Sequence, residues 1–314
     1  MGKVAFLFPG QGTQAVGMGR DLPEASPEAG EFFSRADRAL GMDLTRYIFE
    51  GPDTVLTKTE NAQPAILTVS MALLALIKED MKPDFVAGHS LGEYSALVAA
   101  GVLEFEDAVR LVRKRGMFME EAVPSGRGGM AAVLGMEREP LAAITRQITE
   151  EGFPVDLANL NCPGQIVISG VREGVEKAGE LARSAGARRI LPLNVSGPFH
   201  SRLMKPAAER LARVLEQYHF SDPAVPVVMN ATALPVMRTD EIKTLLVKQL
   251  YLPVLWEESI RNLIELGVET FVEIGPGNVL SGLVKKISRE VEAVSVHDLA
   301  TARRFLEQWK GMGG

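Results

Sequence analysis

The stretch of this chain with the clearest capacity for chemistry is Phe85-Val86-Ala87-Gly88-His89-Ser90-Leu91-Gly92-Glu93. The apolar run after Pro83 predicts a buried strand, Gly88 breaks it, and the spacing from Glu93 to Ala100 predicts a helix. Gly88 to Gly92 therefore forms a G-x-S-x-G nucleophile elbow, a sharp strand-to-helix turn that pushes the Ser90 hydroxyl into the open. Unpaired N–H groups at the start of the helix can meet negative charge developing on a carbonyl oxygen. Such a serine suits acyl transfer or hydrolysis, provided that a base lies within hydrogen-bond reach. Of the four histidines, His200 is the candidate, because Asn194-Val195-Ser196-Gly197-Pro198-Phe199-His200-Ser201 is turn-rich and functional side chains concentrate on such segments. His89 adjoins Ser90 and is expected to point elsewhere, and His219 and His297 sit in polar surroundings without a partner pattern.

The elements that must carry these residues follow from periodicity. Val4 to Phe8 reads as a buried first strand, and the Pro9-Gly10-Gln11-Gly12 turn sets Gln11 at its C-terminal end, where open α/β sheets bind ligands. Gly10 to Ala15 imitates a dinucleotide loop, but no second strand ending in an acid follows, so nucleotide binding is not supported. Helices are predicted over Pro27–Leu40, Asn61–Ile77 and Leu103–Val123, with Pro52–Glu60 irregular. Pro124 to Gly129 is a linker. Beyond it the order strand, helix, strand, strand, helix, strand over some 65 residues is that of a ferredoxin-like unit. Alternation then resumes with helix Leu203–Tyr218, strand Val225–Asn230, helices Asp240–Leu250 and Trp256–Leu266, strand Thr270–Ile274, and a strand-helix pair from Val291. The expectation is an α/β protein whose large domain (1–126 and 197–314) carries a small insertion (127–196), with the site in the cleft between them.

Composition narrows the function classes. The 314 residues are 46% hydrophobic and 24% charged, as in soluble globular proteins, and a net charge of −6 gives no general affinity for nucleic acid or anionic lipid. The single cysteine, Cys162, allows neither an internal disulfide nor a cysteine zinc site, which suits a reducing compartment. No apolar run is expected to span a membrane and no signal peptide is read, so the chain reads as cytoplasmic.

Five segments occur in a recognisable order: Phe6-Leu7-Phe8-Pro9-Gly10-Gln11-Gly12, Asn61-Ala62-Gln63-Pro64-Ala65, the Gly-His-Ser-Leu-Gly-Glu elbow, Gly197-Pro198-Phe199-His200-Ser201 and Glu273-Ile274-Gly275-Pro276-Gly277. In this the sequence resembles the malonyl-CoA:acyl carrier protein transacylases of bacterial fatty-acid synthesis, from about residue 3 to the last helix. The resemblance implies an α/β-hydrolase-like large domain with a parallel sheet and a ferredoxin-like insertion, and transfer of malonyl from malonyl-CoA to acyl carrier protein through an acyl-serine. By the same resemblance Ser90 is acylated, His200 moves the proton, and the Gln249 backbone carbonyl orients the histidine. The N–H groups of Gln11 and Leu91 form the oxyanion hole. Arg115 holds the malonyl carboxylate, while Phe199, Asn159, Asn161 and Gln63 belong to substrate binding. Lys285, Lys286, Arg188 and Arg189 are the candidate docking face for the acidic carrier protein. No cofactor or metal is implied, and a monomer is expected. The alternatives are a thioesterase-like serine hydrolase, for which Asp156 is the available acid, and a non-catalytic docking protein of the same fold.

Overall fold

The computed structural model describes residues 2–124 and 126–311, so Ser125 of the expected linker lies outside the described residues. Among the described residues ten strands make two sheets: β1 (Lys3–Phe8), β2 (Phe85–Gly88), β3 (Gly128–Leu134), β4 (Val155–Cys162), β5 (Gln165–Val171), β6 (Arg189–Pro192), β7 (Val227–Val228), β8 (Pro235–Val236), β9 (Val268–Ile274) and β10 (Glu292–Val296). The larger sheet has the order β10-β9-β1-β2-β7-β8, parallel except for β8, which folds back on β7. Its central strands are continuous apolar runs because both faces are covered. Val4, Phe6 and Phe8 pack on one side with helices Pro27–Leu40, Thr59–Ile77 and Phe105–Glu121. Ala5 and Leu7 pack on the other with Trp256, Ile260, Leu280 and Leu283. Each large side chain buried in this way contributes about 1.5–3 kcal/mol.

Helix Thr59–Ile77 corrects one expectation. It has 19 residues and is apolar and long enough to cross a membrane by length and composition, yet most of it is buried inside the fold. Its apolar surface is spent on the central sheet and neighbouring helices, as in the core helix of a large α/β domain.

The smaller sheet has the order β4-β5-β3-β6 with every neighbour antiparallel. Helices Arg138–Glu150 and Arg172–Ser184 cover it through Leu141, Ile144, Val175 and Ala178. The two layers are stitched along β4. Leu160 N–H donates to the Val254 carbonyl at 2.9 Å and Val254 N–H to the Ala158 carbonyl at 2.8 Å. The Asp156 carboxylate accepts from Arg202 N–H at 2.9 Å and from its guanidinium.

Three local expectations change. The strand foreseen over Val225–Asn230 keeps only Val227–Val228, and β8 was not foreseen. The segment read as irregular contains a short helix, Asp53–Leu56, and the next helix starts at Thr59. Helix Val279–Ile287 was also missed; its first N–H groups are capped by the buried Glu273 carboxylate, which accepts from Leu280 at 3.0 Å and Ser281 at 2.8 Å.

Candidate active site

Ser90 sits at the C-terminal end of β2 with φ 51°, a left-handed conformation that costs a non-glycine residue roughly 1–3 kcal/mol and must be held by its surroundings. The turn is tight because two backbones touch. A Cβ on Gly92 would collide with the Phe8 carbonyl, and one on Gly10 with the His89 carbonyl. The turn after β1, which carries Gln11, thus lies directly against the turn after β2, which carries Ser90 and Leu91. Neither the Gln11 N–H nor the Leu91 N–H has an acceptor among the described residues. Two orphan donors beside one hydroxyl are what an oxyanion hole requires.

His200 meets Ser90 from the segment that leads out of the small sheet. Its Nε2 lies 2.7 Å from Ser90 Oγ, and its Nδ1 lies 2.7 Å from the Gln249 carbonyl oxygen. A carbonyl can only accept, so Nδ1 carries the proton and Nε2 presents its lone pair to the serine hydroxyl. Burial, followed by the Arg115 charge, pushes the imidazole down to about 3, so it is neutral at pH 7 with the Nε2 lone pair available. Asp156 is not its partner, because that carboxylate is engaged by Arg202. The hydrolase reading that required it therefore loses its acid.

Arg115 comes from helix Phe105–Glu121, where Ala108, Leu111, Val112, Arg115 and Met119 form the buried stripe. Its guanidinium is 0% exposed and donates to Gln63 Oε1 (2.8 Å), Gln249 Oε1 (2.8 Å) and Ser90 Oγ (3.1 Å). Nε has no acceptor among the described residues. The buried carboxyl nearby, Glu93, is pushed up to about 8 by desolvation and is uncharged at pH 7, and burial raises the Tyr94 phenol as well. The result is a buried cation with amide and hydroxyl partners but no ionised counter-charge.

A cleft of about 310 Å³ opens over Ser90 and His200, lined also by Gln11, Met130, Asn159, Leu193 and Phe199. Asn159 and Phe199 are thus part of the cleft wall. Gln63 and Asn161 do not line it. Gln63 is fully buried behind Arg115 and holds its guanidinium. Asn161 turns away, its Oδ1 accepting from His89 Nε2 at 2.9 Å. His89 borders the cleft, but its ring is directed to Asn161 and Trp256 rather than to the Ser90 hydroxyl, and burial lowers its pKa. The four basic residues gather elsewhere, where the small sheet meets helix Val279–Ile287. Lys286 donates to Gln165 Oε1 at 3.2 Å, and Gln165 lies opposite Leu134, which lies opposite Arg189. Arg188 and Lys285 are exposed beside them.

Two residues at the elbow escaped the sequence reading. Asn230 Oδ1 accepts the Ser90 N–H at 2.7 Å, and Glu93 accepts the Asn230 N–H at 2.6 Å. The available signal was Glu93 itself, a carboxylate opening an otherwise apolar helix. The side chain of Gln249 was also unforeseen: besides holding Arg115, its Nε2 donates to the Ser90 carbonyl at 2.9 Å.

Comparison with known proteins bears on the family. Residues 5–304 match the family model described as acyl transferase domain. The chain is 57% identical over 311 residues to the malonyl CoA-acyl carrier protein transacylase of Bacillus subtilis, covering 99% of this chain and 98% of that one. The chain belongs to the malonyl-CoA:acyl carrier protein transacylase family. The Staphylococcus aureus member is 47% identical over 307 residues, covering 98% and 99%. An acyl carrier protein S-malonyltransferase structure from Vibrio cholerae superposes with TM-score 0.94 at 44% identity, covering 96% of this chain and 99% of that one. A transacylase solved in complex with a type II polyketide acyl-carrier protein superposes with TM-score 0.95 at 44% identity, covering 98% and 99%. As in these acyltransferases, an α/β-hydrolase-like large domain is combined with a smaller antiparallel one.

Proposed function

We propose that this acyltransferase moves malonyl from malonyl-CoA to the pantetheine thiol of acyl carrier protein in two steps at Ser90, supplying extender units for fatty-acid synthesis. Ser90 Oγ attacks the thioester carbonyl as His200 Nε2 takes its proton, and the tetrahedral oxyanion is met by the N–H groups of Gln11 and Leu91. Collapse breaks the C–S bond, and the imidazolium returns the proton to the departing coenzyme A thiolate. The carrier-protein thiol then gives its proton to His200 and attacks the acyl-serine, reversing the sequence. The Gln249 carbonyl stabilises the imidazolium in place of a carboxylate. Residues 1–126 and 197–314 supply nucleophile, base and donors, and 127–196 close the cleft through Met130, Asn159 and Leu193.

The observation that carries malonyl selectivity is the buried Arg115 without an ionised partner. A carboxylate entering the cleft supplies that charge, and the guanidinium fork fits it with two parallel hydrogen bonds. Acetyl-CoA brings no such group. Intact mass after brief exposure to malonyl-CoA tests the reading: the parent chain gains one malonyl group, and absence of any adduct would overturn it.

The low pKa of His200 gives a pH prediction. An ordinary histidine would lose its basic form below pH 6.5, whereas this one stays neutral until about 3. The kcat/KM for malonyl-CoA should therefore stay level from pH 7 to 5 while the chain is folded. Stability behaves differently. The unfolded imidazole protonates near 6.5, so the stability associated with a neutral buried ring is present above that pH and declines below it. Melting temperature should fall before activity does, and an acid limb centred at 6.5 in kcat/KM would contradict the assignment.

The carrier protein of this family is acidic, while the chain is itself negative, so docking depends on local charge. Lys286 and Arg189 at the end of the small sheet, with Lys285 and Arg188, form the proposed face. Reversing Lys286 and Arg189 together to glutamate should raise the KM for carrier protein about tenfold and leave that for malonyl-CoA unchanged. Steady-state kinetics with each substrate varied in turn separates the two; an unchanged carrier-protein KM removes the face. The chain is expected to work as a cytoplasmic monomer.

A further inference from the structure

Two buried side chains that the transfer steps do not use enclose the nucleophile. Asn230 follows β7, whose rungs with β2 end at Ala87. Past that point the asparagine side chain takes over from the backbone ladder. Its Oδ1 accepts the Ser90 N–H at 2.7 Å and its Nδ2 donates to the Gly88 carbonyl at 2.7 Å. The Asn230 N–H donates to Glu93 Oε2 at 2.6 Å, and the Glu93 N–H donates to the Ser90 carbonyl at 3.1 Å. The hydrogen bonds thus run in a closed circuit from Ser90 to Asn230, to Glu93 and back to Ser90. Asn230 is 1% and Glu93 0% exposed, and neither lines the cleft.

We propose that Asn230 and Glu93 are positioning residues that hold Ser90 in its left-handed conformation and occupy its N–H, leaving the neighbouring Leu91 N–H as the elbow's free donor. Without the circuit the peptide after Gly88 can relax toward ordinary backbone angles, which swings Oγ away from His200 Nε2 and the Leu91 N–H away from the carbonyl oxygen. Glu93 is suited to its place because burial pushes it up to about 8, so at pH 7 it accepts a hydrogen bond without setting a negative charge beside the attacking oxygen. The groups facing it that bear on its ionisation are the Asn230 N–H, the Arg115 guanidinium and the Gln249 side chain, each of which pulls its pKa down against the larger effect of burial.

The proposal rests on Ser90 being the acylated residue, and the test separates the two. Quenched-flow intact mass gives the rate of Ser90 malonylation, alongside KM for malonyl-CoA and the melting temperature. A parent chain that takes up no malonyl overturns both readings. If the parent is acylated, Asn230→Ala should slow acylation about 10²-fold, the scale of an ångström-sized misplacement, with KM within about twofold because Arg115 and its amide partners are untouched. Glu93→Ala should slow it similarly, whereas Glu93→Gln, which keeps an oxygen for the Asn230 N–H, recovers most of the rate. The double variant Asn230→Ala/Glu93→Ala should be no slower than either single one, as expected for two parts of one circuit. Native acylation by Asn230→Ala, a loss confined to KM, or multiplicative losses in the double variant would each overturn the proposal. Should Asn230→Ala not fold, the Glu93→Gln and Glu93→Ala pair decides: equal rates overturn it and unequal rates support it.

Discussion

Ser90→Ala should fold, take up no malonyl group, and lose on the order of 10⁶-fold in kcat, the scale seen when the nucleophile of an acyl-enzyme mechanism is removed. The Oγ of Ser90 has two partners, His200 Nε2 and the Arg115 guanidinium, and both keep their other contacts when it is absent. Alanine meets the same backbone conformation with a side chain no larger than serine's, and the Asn230, Glu93 and Gln249 hydrogen bonds to the Ser90 backbone do not involve the hydroxyl. Loss of function should therefore appear with little change in melting temperature. Intact mass with malonyl-CoA checks this directly, and a malonyl adduct surviving in the variant would place the acyl group elsewhere.

The second large effect concerns selectivity. Arg115→Ala should lower kcat/KM for malonyl-CoA by about 2 to 5 kcal/mol, or roughly 30- to 4,000-fold, the range for truncating one partner of a desolvated charge pair. Acetyl-CoA forms no such pair, so its transfer should hold or rise as the unpaired buried charge disappears. Arg115→Lys should restore only part of the malonyl rate, because an ammonium keeps the charge but lacks the planar fork that also satisfies Gln63 and Gln249. Competition between malonyl-CoA and acetyl-CoA in one reaction gives the ratio free of differences in active fraction. Equal losses for both acyl groups would show that Arg115 acts through the fold rather than on the carboxylate.

Much of this site can be read from sequence wherever local pattern determines position. Ser90 is marked by its strand-turn-helix setting, whereas Arg115 is singled out only by the family resemblance, although it falls on the apolar stripe of its helix, three residues after Val112 and four before Met119. A charged residue on such a stripe has to be paired or functional. The partners were less legible because they depend on where distant segments meet. The asparagines of β4 are the clearest example: positions two apart on a regular strand share a face, yet the register shifts between Leu157 and Asn159 and again between Leu160 and Cys162. Asn159 consequently reaches the cleft while Asn161 reaches His89. Helix Val279–Ile287 was missed for a related reason: Asn278 makes no side-chain cap, and the capping carboxylate is Glu273 at the end of β9. The strand at Val227 is short because pairing with β2 passes at the elbow from backbone to the Asn230 side chain.

The backbone contact between the turns after β1 and β2 bears on how the cleft responds to thermal motion. Gly10 and Gly92 let the Gln11 and Leu91 turns lock together with no side chain between them, so the two proposed oxyanion donors are carried together by the large sheet. His200 belongs to the same large domain, held there by its bond to the Gln249 carbonyl, but Arg202 two residues on is tied to Asp156 of β4. Breathing of the small sheet against the large one would therefore pull on the imidazole through that tie, with the Gln249 bond resisting, while the two turns keep their shape. Cleft dynamics in this architecture would act on the proton's path before they act on the carbonyl's cradle.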